Sequence, residues 1–265
     1  MPKSTTTPFT TVGRVLCALA LLGFGIQYAL SGHLRRGIPL CPTWLHPNMA
    51  IAYALSALCI AAGIALLTTW RTAVISLILG LIFLGTSALY LMHFNYVAYD
   101  ADGRTLFLEC LALSATALIL HGLTAGSRYS LMPGRLLFAV AMIIFGIQHF
   151  LYVRFLSTLV PRYLPGHHLW VIGTGLALIA AGLSIATTIE DKYASYGLFF
   201  LFFGWLVLLH APRILHALHN GDEWSSGLVV LAFSGTSLLL AGSSTGTAFG
   251  KPSKAAPKKE RPWRP

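Results

Sequence analysis

Charge is what this sequence has least of. Only 10% of its 265 residues are Asp, Glu, Lys or Arg, whereas a soluble domain carries roughly 25%, because a water-facing surface needs them. So little charge cannot cover a globule of this length, and lipid must solvate much of its surface. Acidic residues are the scarcest, eight against eighteen basic ones. Cysteine is scattered as Cys17, Cys41, Cys59 and Cys110, with no C-x-x-C pair, so neither a zinc site nor a dithiol has a signature. Three of the four lie in apolar runs, where a thiol behaves as a small hydrophobe. No nucleophile–base arrangement and no phosphate-binding glycine loop is visible. Nothing in the residues points to an independent enzyme, and no catalytic residue and no metal site are assigned.

What is present is apolar length. Hydrophobic residues make up 56% of the chain. Eight continuous apolar stretches run over 12–31, 49–67, 73–92, 106–123, 135–153, 169–187, 194–211 and 226–243. Each is near the ~20 residues a helix needs to cross the hydrocarbon core. The runs are continuous rather than alternating, which favours spanning helices over barrel strands. The net charge of +10 would suggest nucleic acid in a soluble chain. Here much of it follows Gly250, so it reads as topological charge beside lipid, and no nucleic-acid partner is expected.

The chain repeats itself. Gly13-Arg14-Val15-Leu16 followed by Phe24-Gly25-Ile26-Gln27 recurs as Gly134-Arg135-Leu136-Leu137 followed by Phe145-Gly146-Ile147-Gln148, 121 residues later. Ile60-Ala61-Ala62-Gly63 recurs as Ile179-Ala180-Ala181-Gly182 at an offset of 119, and Ser114–Leu120 aligns with Ser234–Leu240 at 120. A first apolar run whose counterpart is internal reads as a retained helix rather than a signal peptide. With four helices per copy, both copies enter the membrane from the same side and form parallel repeats. The expected architecture is therefore an all-α integral membrane protein, with eight transmembrane helices as two parallel-repeat four-helix bundles. The first unit covers 1–123 and the second 124–243. Residues 244–265 read as a disordered basic tail, rich in Ser, Pro, Lys and Gly.

Orientation follows from Lys and Arg. The side holding both termini carries twelve of them and the other side six, which places both termini in the cytoplasm. Nine of the ten histidines fall on the opposite, outer side, so a polar site is expected to open there. Gln27 and Gln148 stand near the outer end of the first helix of each copy, with His149 beside Gln148. His93 and His210 stand near the outer end of each third helix. Polar residues within a membrane need partners, and histidine hydrogen-bonds, carries protons and meets quinone carbonyls. Glu109 is the one acid inside an apolar run, and Val229 takes its place in the second copy. It reads either as a helix-dipole partner near an N-terminus or as a proton acceptor. The outer segments 31–48 and 154–168, with Pro39, Pro42, Trp44, Pro47, Pro161, Tyr163 and Pro165, are expected to cap the bundles.

One series of residues in the second copy carries a resemblance. Arg135 and Leu137, Phe145-Gly146-Ile147-Gln148-His149-Phe150, Pro161-Arg162-Tyr163-Leu164-Pro165, Trp170, Gly175, Leu178 and Ala181-Gly182-Leu183 resemble the DoxX-like family of four-helix membrane proteins. Arg14 to Ile64 echoes the same pattern. The resemblance implies a tandem pair of such units in a bacterial inner membrane. It further implies a non-catalytic subunit of a membrane redox complex, lying close to a quinone, with lipid and redox subunits as partners. Many family members place a glutamate in the second helix, where this chain has Cys59 and Leu178. The parallel duplication alone suggests a different class, a small-solute permease with its path between the two bundles. The basic tail suggests a third, a membrane scaffold.

Overall fold

The computed structural model describes residues 7–31 and 49–243. The segment 32–48 and the expected tail over 244–265 lie outside the described residues. Among the described residues every regular element is helical. The elements are α1 (Pro8–Ser31), α2 (Met49–Leu67), α3 (Thr72–Met92), α4 (Phe94–Tyr99), α5 (Ala101–Ala125), α6 (Arg128–Leu151), α7 (Val153–Leu159), α8 (His167–Thr187), α9 (Asp191–Trp205), a π-helical turn (Leu206–His210), α10 (Ala211–His216) and α11 (Gly221–Ser243). Among the described residues eight spans are long and apolar enough to cross a membrane, the seventh running from Asp191 to His216. The chain is an all-α, multi-pass membrane protein. Leu19, Ile26, Ile64, Leu81, Ile147, Leu176 and Phe200 are exposed along these spans, as side chains facing lipid would be.

Local chemistry marks the helix ends. The Asp100 carboxylate accepts from the backbone N–H groups of Asp102 and Gly103 at 2.7 and 3.2 Å, which starts α5. Gly126, at φ 66°, ends it in the left-handed conformation. The seventh span passes through Pro212, which would end an ordinary helix. Here the π turn precedes it, and the Leu208 carbonyl, whose i+4 donor the proline lacks, accepts from the Tyr163 hydroxyl. The span can therefore continue to His216.

The helices close two adjoining interiors. α1 packs on α2 and α11, α6 packs on α8 and α5, α3 packs on α5, and α9 packs on α11 and α8. α5 and α11 touch each other and serve both interiors. The first helix of each half thus lies against the fourth helix of the other half, so the two halves interlock along α5 and α11.

Close approaches recur at the sequence offsets. A Cβ on Gly13 would lie 2.6 Å from the Gly235 carbonyl oxygen and 2.9 Å from the Leu239 nitrogen. On Gly134 it would lie 3.0 Å from the Ala115 oxygen and 2.9 Å from the Ile119 nitrogen. Gly25 meets Ile60 as Gly146 meets Ile179, each at 2.6 Å. Only a missing side chain lets the backbones come this near.

One interior is filled and the other is open. Phe24, Leu79, Phe83 and Leu113 close the interior between α1, α2, α3, α5 and α11 to about 30 Å³, little more than one water occupies. The second holds a cavity of about 680 Å³ between α5, α6, α8, α9 and α11.

Candidate functional site

The large cavity lies toward the face where α5 begins and α6 ends. From α5 it takes Asp102, Thr105 and Glu109. Asp102 and Glu109 are seven residues apart on that helix, about 10 Å at 1.5 Å per residue. Phe145, Phe202 and Phe233 meet at its deep end, with ring centroids 6.2 Å apart for Phe145–Phe233 and 5.6 Å for Phe202–Phe233. Helix α7 covers one side with Phe155, Leu156 and Leu159. Of the cap expected over 154–168, helix α7 and Val160 border the cavity.

Four of the six sequence-selected polar residues line this one cavity: Glu109, Gln148, His149 and His210. Each has an unused hydrogen-bonding group. The Gln148 amide nitrogen Nε2 and His210 Nδ1 are buried without a partner. Glu109 makes no hydrogen bond or ion pair among the described residues. His149 is partly committed, its Nδ1 lying 2.8 Å from the Phe145 carbonyl oxygen, which leaves Nε2 as its free ring atom. His210 belongs to the π turn, and such turns commonly re-aim side chains at functional sites.

The other two selected residues lie elsewhere. Gln27 donates from Nε2 to the Gly221 carbonyl at 2.6 Å and to Ser225 Oγ at 2.8 Å, so it ties α1 to α11. The residues at the corresponding places for Gln148 are Ala101 and Thr105. Both border the cavity, and Gln148 bonds to neither. His93 lies exposed at the turn between α3 and α4, where its backbone N–H bonds the Tyr90 carbonyl at 3.1 Å. The Gln/His pairing expected in each copy therefore brings its members to one cavity in the second half only, because the first half's interior is filled.

Sequence reasoning missed several residues of the wall. Trp205 donates from Nε1 to Thr174 Oγ1 at 3.2 Å and stacks edge-on against Trp170, 5.8 Å between centroids. Tyr152 accepts from the Arg104 guanidinium, which also lies 5.8 Å from its ring centre. Tryptophan and tyrosine near a membrane interface read as anchors, and only packing shows that these two line a cavity. Among the described residues, no three His, Cys, Asp or Glu side chains group closely enough to hold a metal ion.

An apolar chamber of this volume, with few polar groups, has the size and character of a small-molecule site. Its unpaired donor on Gln148 and its acceptors on Glu109 suit a ligand with a polar head and an apolar body. No protein-family profile, curated protein or solved structure matches this chain. The class that fold and site define is a multi-pass helical membrane protein with a cavity reaching from one face into its interior.

Proposed function

We propose that this protein binds a lipid-soluble, ring-bearing molecule of the quinone type in the cavity between α5, α6, α8, α9 and α11. In this reading it is a non-catalytic, DoxX-like subunit of a redox complex in a bacterial inner membrane, built by tandem duplication, with both termini cytoplasmic. The observation that carries the binding reading is a mainly apolar chamber bordered by Gln148, His210 and Glu109, of which Gln148 and His210 each hold a buried polar atom without a partner. Leaving such groups unmatched costs roughly 1–3 kcal/mol each, and a ligand carbonyl or hydroxyl would recover it. Gln148 Nε2 donates to a ring carbonyl, Glu109 accepts from a ring hydroxyl, and the aromatic wall of Phe145, Trp205 and Phe233 holds the ring. The recurring glycine approaches support the duplication.

The permease reading has less support. The large cavity opens to one face, and further along the same two helices α5 and α11 meet through a buried hydrogen bond between Thr116 and Thr236.

The test is titration of the purified chain, in lipid nanodiscs, with a short-chain ubiquinone or menaquinone, followed by quenching of tryptophan fluorescence. Saturable quenching is expected, weakened about tenfold by Gln148→Leu, the cost of one charge-free hydrogen bond with its desolvation. Quenching that never saturates, or that Gln148→Leu leaves unchanged, would refute the proposal.

A further inference from the structure

The opposite face holds a second cavity, of about 630 Å³, at the ends of α1, α5 and α11 and the turn joining α2 to α3. Among the described residues its charged lining residues are Arg14 and Arg71, and no carboxylate borders it. The corresponding corner of the second half shows what belongs there. Arg135, at the place of Arg14, bonds the Ile185 carbonyl at 3.3 Å and forms an ion pair with Asp191. Arg14 likewise bonds the carbonyls of Leu66 and Leu67, and Ile185 stands where Leu66 does. The turns match as well. Thr69 and Arg71 have φ of 60° and 47°, and Thr188 and Glu190 have 61° and 53°.

The acids differ. Where the second half has Glu190 and Asp191, the first has Arg71 and Thr72. Arg14 has no ion-pair partner among the described residues. Thr72 is only 6% exposed, lines the cavity, and its hydroxyl has no hydrogen-bond partner. It also opens α3, and Thr72, Ala73 and Val74, whose N–H groups are the first backbone donors of that helix, line the same space. These donors have no partner within the helix, and the helix dipole favours negative charge beside them.

We propose that this cavity binds a phosphate-class anion, which takes the position opposite Arg14 that the Asp191 carboxylate fills opposite Arg135. Arg14 and Arg71 neutralise the charge, and Thr72 Oγ1 and the first turn of α3 donate to the phosphoryl oxygens. The same chemistry fits the headgroup of an anionic phospholipid or a soluble phosphate.

The experiment uses the full chain purified in detergent. One arm adds phosphatidylglycerol or zwitterionic phosphatidylcholine and counts bound lipids by native mass spectrometry. The other titrates inorganic phosphate by calorimetry. One tight site is expected per chain. Thr72→Asp, which copies the second half's own neutralised arrangement, is expected to weaken it about tenfold or more. Should that variant fail to fold, Arg71→Glu, which copies Glu190, replaces it. Retention of phosphatidylglycerol alone assigns a lipid, and calorimetric binding of phosphate assigns a soluble anion. Absence of binding in both arms, or binding that the substitution leaves unchanged, overturns the proposal, because attraction by the general basic charge of the chain would survive it.

Discussion

Thr116 and Thr236 stand 120 positions apart and meet hydroxyl to hydroxyl at 2.7 Å, fully inside the protein where α5 touches α11. Each hydroxyl also lies 2.8 Å from the carbonyl four residues earlier, Ala112 for one and Ala232 for the other. Two protons cannot serve three such bonds at once. Either threonine donates across the contact while the other bonds its own helix, so the arrangement has two equivalent hydrogen-bonding patterns.

That degeneracy makes the contact tolerant. Thr116→Val and Thr236→Val are each expected to cost about 0.5–1 kcal/mol, the usual range for interhelical hydrogen bonds in membranes. The double variant should cost less than the sum, since one loss already removes the shared bond. Unfolding in mixed micelles measures all three, and strict additivity would show that the hydroxyls do not interact.

Gly146 is expected to be far less forgiving. A methyl group there would sit 2.6 Å from Ile179 Cγ1 and 2.7 Å from the Gly175 carbonyl oxygen, and backbone cannot yield as a side-chain tip can. Gly146→Ala should destabilise by about 1–3 kcal/mol. Gly197, with nothing within 4 Å, is the control, and Gly197→Ala should be neutral or gain up to ~1 kcal/mol from helix propensity. Equal effects at the two sites would contradict the packing described.

The ion pair between Arg135 and Asp191 is buried, at 5% and 15% side-chain exposure. Asp191→Ala strands the guanidinium with a single carbonyl and should cost about 3 kcal/mol. Arg213 and Glu223 also pair, at 2.6 Å, but the arginine is 36% exposed. Glu223→Gln should therefore cost less than about 1 kcal/mol. A thermal-denaturation series that ranks the two the other way round would undo this assignment.

Tyr163 supplies the proton that Pro212 cannot. Tyr163→Phe leaves the Leu208 carbonyl without its donor and is expected to cost about 1 kcal/mol. Because His210 and Leu209 in that turn line the large cavity, the same variant should also weaken quinone quenching. Hydrogen exchange over 206–216 indistinguishable from wild type would argue that another donor takes over.

Much of the fold was legible one segment at a time. Crossing a bilayer depends on the length of an apolar run, and each helix satisfies its own backbone, so the eight spans could be read without knowing their neighbours. Glu109, Gln148, His149 and His210 were recognisable for the same local reason, being polar residues where lipid or packing should exclude them. What no local pattern carried was which helices enclose which space. The deep aromatic contact at Phe233, the covering of the cavity by α7, the commitment of Gln27 to α11 and the displacement of His93 all depend on contacts between residues far apart in the chain. Two halves with the same motifs therefore diverge. One interior closes on Phe24 and Phe83 while the other stays open, and one arginine pairs with Asp191 whereas the first half has Thr72 at the matching position. Periodicity and run length are properties of neighbours along the chain. Cavities and charge balance arise only when distant helices pack.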